Sequence, residues 1–347
     1  MLQDYHHQIN FNQDSPKKSW PGVMFLVLLG IGVAYVSLWL GIKTNTIQVS
    51  NDHNPSFWSK VANIITFSNN PVQEEQDPNY VMPTEEKERL DILVLGIRGA
   101  DDPDAENGGA YLTDTIIVFS YNKTTGKSSI VSIPRDLYVK MFKKQEKINA
   151  AYAEALARKQ GLGYVEKLVS EITGVYIDHA VIVDFSSFEK VLDELGGVDI
   201  VLDKPFDEKT QWGYEFHLPA GPNHLNGRDA LYYARSRYST NDFDRARRQQ
   251  QIIFALKNEL LKINFFSDPI KTISIFNTIR NNVQTNIGLT EIKGLINLLG
   301  NMGSQTRHEV ISTENLLYET TTNESYVLLP KGDNFNGIKQ LFQDVLK

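Results

Sequence analysis

Short apolar runs alternate with amphipathic segments between residues 90 and 202, and this alternation constrains the fold more than any other feature. LDILVLGI, YIDHAVIVDF and VDIVL have the length of strands, whereas KINAAYAEALARKQG, GYVEKLVSEITG and SSFEKVLDELGG, the last opened by serine, have the character of helices. Strands that alternate with helices indicate an α/β layered domain. DTIIVFSY and SSIVSI flank the turn-like stretch NKTTGK, which predicts a hairpin. We therefore predict an α/β fold with a mixed central β-sheet flanked by helices.

The last 80 residues continue this pattern. They predict helices near 268–300, strands at HEVIS and YVLLP, and a final helix from about Asn334. YVLLP is too short to fold alone, so these elements belong to the same domain, for which we predict the bounds 89–347.

A second feature is the run PGVMFLVLLGIGVAYVSLWLGI, residues 21–42, which carries no charge. As a helix it would be about 33 Å long, which matches the hydrocarbon core of a bilayer. No cleavage site of the kind found in signal peptides follows it, so it predicts a retained signal anchor rather than a buried helix. Lys17 and Lys18 favour a cytoplasmic tail at 1–20 and an extracytoplasmic C-terminal domain. Residues 43–88 are predicted to be a juxtamembrane linker, in which SFWSKVANIITF is an interfacial helix or a stalk helix.

The composition excludes several kinds of site. The chain has no cysteine, which rules out disulfides, thiolate metal sites and a cysteine nucleophile. Its seven histidines include no pair with the spacing of a zinc site on a helix.

An arginine cluster stands out because the chain as a whole has a formal net charge of −7. Five arginines lie in the fourteen residues RSRYSTNDFDRARR. Asn241 or Asp242 is a good N-cap for a helix that runs to about Lys262. Arg245 and Arg248 share the apolar face of this helix, and guanidinium groups held on such a face need a counter-anion. A helix N-terminus is also a natural anion site, so the cluster predicts binding of phosphate or carboxylate oxygens.

Two other interpretations of the cluster remain open. In the first, it is a solvated helix start whose charges are balanced by Asp242 and Asp244, although two aspartates cannot offset five arginines. In the second, it binds nucleic acid, for which clustered arginine is the usual footprint. The acidic chain and the predicted extracytoplasmic location weaken this second interpretation, so we expect no nucleic acid.

Two further residues are candidates on their own. Arg135 follows Pro134 in SIPRD, directly after a predicted strand. Asp114 of LTDT opens a predicted strand, where a lone carboxylate can bind a hard cation such as Mg²⁺ or cap a turn.

These pieces occur in the order that marks the LytR-CpsA-Psr family, which the chain resembles over roughly residues 90–262. The motifs are TDT, SIPRD, KINAAY, ITGVYIDHAVIVDFSSFEKVLDELGGVDI, LNGRDALYYARSRY and DFDRARRQQ. The resemblance implies an extracytoplasmic phosphotransferase that moves a glycopolymer from a polyprenyl diphosphate carrier onto peptidoglycan with Mg²⁺. It also implies an α/β domain with an apolar tunnel for the lipid tail.

The resemblance also implies roles for individual residues. Positions that contact the diphosphate in the family match Arg235, Arg237, Arg245, Arg248 and Gln249. Arg135 matches another phosphate-facing arginine, Asp114 the metal-binding aspartate, and Asp242 the acidic residue of the arginine motif. Lys147 matches the lysine of the KIN element, which we assign to substrate binding, and Arg247 falls on a variable position expected at the surface. The residues expected to act in catalysis are Arg135, Arg235, Arg237 and Asp242.

Two positions depart from the family pattern. Leu112 stands where most relatives have an arginine, and Arg98 stands where the first strand usually ends in aspartate. We predict that Arg98 supplies the lost phosphate contact, the alternative being a solvated loop arginine. The missing carboxylate would be replaced in the metal shell by Asp101, Asp102 or Asp104.

The mechanism that follows is attack of a sugar hydroxyl on the phosphorus next to the glycopolymer, with arginines and Mg²⁺ stabilising the developing charge. Asp242 is either the general base or the residue that orients Arg245. The rivals are a diphosphate hydrolase, a non-catalytic module that binds lipid-linked polymers, and a membrane-tethered regulator that binds nucleic acid.

Overall fold

The structure, a computed structural model, describes residues 82–347 except 103–104, 106–108, 264–268, 289–290, 292–293, 296–299, 301–305 and 323. These residues lie in one compact unit, Val61–Lys347. Within the part of the chain so described, no helix is both long and apolar enough to cross a membrane. The predicted cytoplasmic tail, the predicted anchor and nearly all of the predicted linker lie outside the described residues.

Strands and helices occur throughout the described part of the chain. The strands are β1 (Arg89–Ile97), β2 (Thr113–Asn122), β3 (Ser128–Ser132), β4 (Tyr138–Met141), β5 (Lys144–Lys147), β6 (His179–Asp184), β7 (Val198–Leu202), β8 (Phe206–Glu208), β9 (Phe216–Leu218), β10 (Gly221–Leu225), β11 (Val283–Thr285), β12 (Arg307–Val310), β13 (Leu317–Thr322) and β14 (Ser325–Pro330). The helices are α1 (Ala151–Ala157), α2 (Gly161–Thr173), α3 (Phe185–Leu195), α4 (Gly227–Arg235), α5 (Asp242–Lys262), α6 (Pro269–Asn282) and α7 (Asn336–Asp344).

The central sheet has six strands in the order β11-β6-β1-β2-β3-β12. The β1–β2 and β2–β3 pairs are antiparallel, whereas the β1–β6 and β3–β12 pairs are parallel. The predicted mixed sheet and the predicted hairpin are therefore confirmed. VDIVL forms β7 as predicted, but it pairs with β10 in a separate two-stranded sheet.

The two largest apolar cores of the described residues hold these layers together. The larger core packs the central sheet against α1, α2 and α7 and includes Leu93, Val131, Ile172 and Phe342, each at most 1% exposed. The second core joins α3, α4, α5 and the β7–β10 sheet, with fully buried Leu192 at its centre.

Local signals set the ends of the helices. α5 begins where predicted, because the Asn241 side chain accepts a hydrogen bond from the N–H of Asp244. α2 ends at Gly174 in the left-handed conformation, with φ of 73°. α3 is opened by Asp184, which accepts from the N–H of Ser187, and not by serine as predicted.

One edge of the central sheet gathers the predicted site. β1, β3 and β6 run in the same direction, so their carboxyl ends meet at this edge, and the antiparallel β2 begins there. Arg98 follows β1, Asp114 lies at the start of β2, and Arg135 comes shortly after β3. The carboxyl edge of parallel strands is the usual place for a ligand in such sheets.

Candidate functional site

Asp114 lies at a β-bulge between β1 and β2. Gly96 is opposite Thr115 and Ile97 is opposite Thr113, so Asp114 is the extra residue. A Cβ atom on Gly96 would lie 2.8 Å from Cβ of Thr115, so glycine permits this close approach. Bulges redirect side chains and recur beside active sites. Asp114 is therefore not a turn cap, since it lies inside a strand whose irregularity directs it towards the site.

Arg135 is surrounded by three carboxylates. Its Nη1 lies 2.6 Å from Oδ1 of Asp114, and its Nε lies 3.6 Å from Oδ2 of Asp136 and 3.9 Å from Oδ2 of Asp242. Burial alone would lower the pKa of Arg135, but these carboxylates, Asp114 first, outweigh burial and raise the pKa. Its Nε is buried and makes no hydrogen bond within the described residues. A buried donor without a partner carries a desolvation cost of about 1–3 kcal/mol, which a rearranged or added acceptor would relieve.

Arg245 joins this group from the first turn of α5. Its Nη2 lies 3.0 Å from Oδ2 of Asp242 and donates to the backbone carbonyl of Asp114 at 3.2 Å. Burial lowers the pKa of Arg245, and the neighbouring carboxylate of Asp242 opposes that shift only in part. The guanidinium nevertheless stays charged at any physiological pH, because its ordinary pKa is so high.

These side chains line a common pocket at the sheet edge. The predicted site residues on its wall are Asp114, Arg135, Asp242, Arg245 and Gln249. Lys147 lies next to this pocket, because its Nζ is 2.7 Å from Oδ1 of Asp136. Six of the residues that the sequence predicted for the site therefore lie close together, although their functional roles stay predictions.

Arg248 and Gln249 contact backbone carbonyl groups at the end of α4. The Arg248 guanidinium donates to the carbonyls of Tyr233, at 2.9 Å, and Ser236, and Gln249 donates to the carbonyl of Ala234 at 3.3 Å. A helix C-terminus has unpaired carbonyls and partial negative charge, which a guanidinium satisfies. The counter-charge that burial of Arg248 demands is therefore supplied within the protein, and its predicted diphosphate contact stays untested.

Arg98 and Arg235 approach the same carboxylate from β1 and α4. Nη1 of Arg98 is 3.4 Å from Oδ1 of Asp102, and Nη1 of Arg235 is 3.9 Å from Oδ2 of Asp102. Arg98 is thus partly buried and paired with Asp102 in the loop that follows β1, and its predicted phosphate contact stays a prediction. Among the residues that the structure describes, the Arg237 guanidinium has neither a hydrogen bond nor an ion pair.

One of the other interpretations of the arginine cluster is a solvated helix start balanced by Asp242 and Asp244. It holds for part of the cluster. Arg247 is half exposed and pairs with Asp244 at 2.7 Å, as expected for a surface residue. The Arg245–Asp242 pair is the second such contact, but Arg245 is only 5% exposed and faces the pocket. Two aspartates thus balance two of the five arginines.

Cationic side chains gather at this edge of the sheet. They are Arg98, Arg135, Lys147, Arg235, Arg237, Arg245 and Arg248. Carboxylates of the described residues face them, namely Asp102, Asp114, Asp136 and Asp242, with Asp244 and Glu208 acting on Arg248. Guanidinium groups clustered at one edge of an acidic chain favour the binding of anions.

The pocket offers few protein ligands for a metal ion. Within the described part of the chain, no group of three or more acidic or histidine side chains has the geometry to hold a metal. Mg²⁺, however, is usually held by one or two carboxylates together with substrate phosphates. Asp114 can supply one such carboxylate at the pocket wall. Of the proposed substitutes for the missing acid, Asp102 pairs with arginines and Asp104 lies outside the described residues.

Several features of the site escaped the sequence analysis. Asp136, which contacts both Arg135 and Lys147, was visible in SIPRD as the residue after the arginine. The bulge at Asp114 had one signal, the glycine Gly96 inside an apolar strand, because such glycines often mark bulges.

Comparison with known proteins agrees with this picture. The model of the LytR_cpsA_psr family matches residues 56–343. Over 268 residues the chain is 31% identical to the polyisoprenyl-teichoic acid–peptidoglycan teichoic acid transferase TagV of Bacillus subtilis (strain 168), which covers 75% of this chain and 65% of TagV. Over 209 residues it is 33% identical to the regulatory protein MsrR of Staphylococcus aureus (strain COL), which covers 59% of this chain and 58% of MsrR.

The match therefore spans less than two thirds of these relatives' own length. The crystal structure of B. subtilis TagV has the same fold, with a TM-score of 0.60 and 30% identity over 76% of this chain and 98% of that chain.

Proposed function

The chain belongs to the LytR_cpsA_psr family, and from that membership we propose that it is a phosphotransferase for cell-wall glycopolymers. The proposed reaction moves a glycopolymer from a polyprenyl diphosphate carrier onto a hydroxyl group of peptidoglycan. The name of TagV, a transferase of polyisoprenyl-linked teichoic acid to peptidoglycan, supports this substrate class.

The observation that carries the proposal is the pair of withdrawn guanidinium groups, Arg135 and Arg245, on the wall of one pocket. Arg135 and Arg245 keep their charges while largely withdrawn from water, and Nε of Arg135 lacks a hydrogen-bond partner within the described residues. A diphosphate would supply an acceptor for that donor, and planar guanidinium groups match its oxygen atoms.

The proposed chemistry is a single displacement at phosphorus. The acceptor oxygen attacks the phosphorus that bears the glycopolymer, the bond to the bridging oxygen breaks, and polyprenyl phosphate leaves with the electron pair. The hydroxyl proton goes to the carboxylate of Asp242, unless Asp242 serves only to hold Arg245, which lies 3.0 Å away. Arg135 and Arg245 stabilise charge that grows on the phosphoryl oxygens.

We also propose that Asp114 binds Mg²⁺ together with the diphosphate, since one carboxylate plus phosphates is the usual set for this ion. Bound Mg²⁺ would neutralise charge on the diphosphate.

The proposal extends to location. Residues 21–42 would anchor the chain in the bilayer, with 1–20 in the cytoplasm and the domain 89–347 outside, where lipid-linked polymers meet peptidoglycan. A nucleic-acid ligand has no place in this account.

The test compares two arginines of one helix. Arg245→Gln removes a cation from the pocket, whereas the control Arg247→Gln removes an equal charge from a half-exposed pair. The full chain is incubated with a polyprenyl diphosphate-linked oligosaccharide and peptidoglycan, and glycan attached to peptidoglycan is measured. We expect Arg245→Gln to lose at least about 100-fold in rate, the scale of a lost electrostatic contact in a transition state, and the control to stay near the parent. Equal activity of the two variants would contradict the proposal.

A second candidate function is a binding module that regulates without transfer, because the relative MsrR is named a regulatory protein. In that case no glycan would become attached to peptidoglycan and the donor would stay intact, although calorimetry would show that the chain binds the donor. Glycan phosphate released into solution in place of attached glycan would indicate a hydrolase.

A further inference from the structure

The connection between β8 and β9, which includes Gln211 and Trp212, packs against the segment that carries Arg235 and Arg237. Arg235 is the last residue of α4, and the chain after it has no regular structure until α5 begins at Asp242. Arg237 therefore depends on other elements for its position, and Arg235 lies where the helix ends.

Aromatic rings enclose the guanidinium of Arg235. Its Cζ lies 3.9 Å from the ring centroid of Phe185 and 5.1 Å from that of Trp212. Contacts with ring faces are favourable for a cation and, unlike hydrogen bonds, do not use the N–H donors in the guanidinium plane. The rings thus hold the guanidinium beside Asp102, whose Oδ2 lies 3.9 Å from Nη1 of Arg235.

Trp212 is itself held in place. Its Nε1 donates to Oγ of Ser236 at 3.0 Å, and its ring stacks on Tyr232 with centroids 4.4 Å apart and planes within 5° of parallel. Ser236 in turn donates to the carbonyl of Tyr232 at 2.7 Å and is fully buried. The indole therefore has one orientation, anchored to the residue that follows Arg235.

The carboxamide of Gln211 fixes the backbone around that residue. Its Oε1 accepts from the N–H of Arg237 at 2.8 Å, and its Nε2 donates to the carbonyl of Arg235 at 3.3 Å. Farther along, buried Glu208 accepts from both the N–H and the hydroxyl of Ser239 at 3.1 Å. The backbone of the arginine segment is thus held from one side by the β8–β9 hairpin.

We propose that Trp212 and Gln211 are positioning residues that preset Arg235 and Arg237 for the diphosphate. This inference rests on the proposed function, because it assigns these arginines to anion binding. Segments held in their binding conformation lose less entropy when the ligand arrives, which raises affinity. The hairpin contributes to the site through this order and not through contact with the ligand.

The test measures binding of farnesyl diphosphate to the full chain by calorimetry. Trp212→Leu should weaken binding roughly 3- to 30-fold, the range that cation–π contacts span. Trp212→Phe, which keeps a ring face, should recover most of the affinity. Tyr176→Leu is the matched control, since Tyr176 is 36% exposed and precedes β6, at the opposite edge of the sheet from the site. It should bind as the parent does.

A double-mutant cycle separates positioning from a general loss of structure. If Trp212 acts through Arg235, adding Trp212→Leu to Arg235→Ala should cause almost no further loss. Additive losses would overturn the inference, as would parent-like binding by Trp212→Leu when Arg235→Ala binds weakly. Parent-like binding by Arg235→Ala would overturn the proposed role of the arginine as well. If Trp212→Leu does not unfold cooperatively, a second cycle combines Gln211→Leu with Arg237→Ala. There too, almost no further loss in the double variant supports the inference and additive losses overturn it.

Discussion

Replacing Arg248 with methionine should destabilise the fold more than it weakens anion binding, and Arg245→Met should do the reverse. The two arginines are almost one turn apart on α5 and are 6% and 5% exposed. They differ in their partners. Arg248 donates to carbonyls at the end of α4, whereas Arg245 contacts Asp242 at the pocket.

The magnitude follows from these partners. A hydrogen bond from a charged group contributes about 1.5–3 kcal/mol. Arg248→Met breaks two of them but keeps an apolar stem beside Phe206, so we expect a loss of about 2–4 kcal/mol. For a domain of this size that loss lowers Tm by roughly 5–12 °C. Arg245→Met should cost less than about 1.5 kcal/mol, because Asp242 is 31% exposed and water can replace its partner.

Calorimetric melting and farnesyl diphosphate titration of the same full-chain preparations measure both effects. The reasoning is refuted if Arg248→Met melts within about 2 °C of the parent while its affinity falls as far as that of Arg245→Met. That outcome would return Arg248 to the diphosphate site that the sequence alone suggested.

Two further predictions concern buried charge away from the site. Burial raises the pKa of Glu166 to about 7 from an ordinary 4.5, so its stabilising contribution is complete below pH 4.5 and is lost as pH rises through about 7. In urea denaturation, the free energy of unfolding of the parent should therefore fall by about 3 kcal/mol between pH 4.5 and pH 8. Glu166→Gln should remove this decline, since glutamine does not ionise and can still accept a hydrogen bond from Asn286. A parent without the decline would contradict this. Asp91→Ala should lower the free energy of unfolding by about 3–5 kcal/mol, because it removes the carboxylate that pairs with the buried Arg89. The double change Arg89→Met with Asp91→Leu should cost clearly less, because it removes both charges. Equal losses in the two variants would contradict the argument.

Much of the fold was predictable because its signals are local. Periodicity and turn composition predicted the β2–β3 hairpin, and the cap at Asn241 predicted where α5 begins. The separate pairing of β7 with β10 was not predictable, because an apolar alternating strand carries no mark of its partner. Such pairing depends on packing between residues that are distant in sequence.

The site, too, was predictable from the sequence only in part. Residue type and motif order placed Asp114, Arg135 and Arg245 together, and the structure confirms that they line one pocket. Burial of Arg248 correctly predicted that it needs a partner, but a stripe on a helix cannot tell a ligand from the carbonyls of a neighbouring helix. The aromatic contacts of Arg235 likewise come from elements distant in sequence, Phe185 at the start of α3 and Trp212 between β8 and β9.

The most direct test of the central claim follows the phosphorus atom. A polyprenyl diphosphate-linked oligosaccharide is labelled with ³²P at the phosphorus next to the sugar and given to the full chain with peptidoglycan and Mg²⁺. The account predicts that the label becomes attached to peptidoglycan while unlabelled polyprenyl monophosphate is released, and that Asp242→Asn stops both. Label that leaves with the lipid, or that appears only as soluble sugar phosphate, would contradict phosphoryl transfer to peptidoglycan.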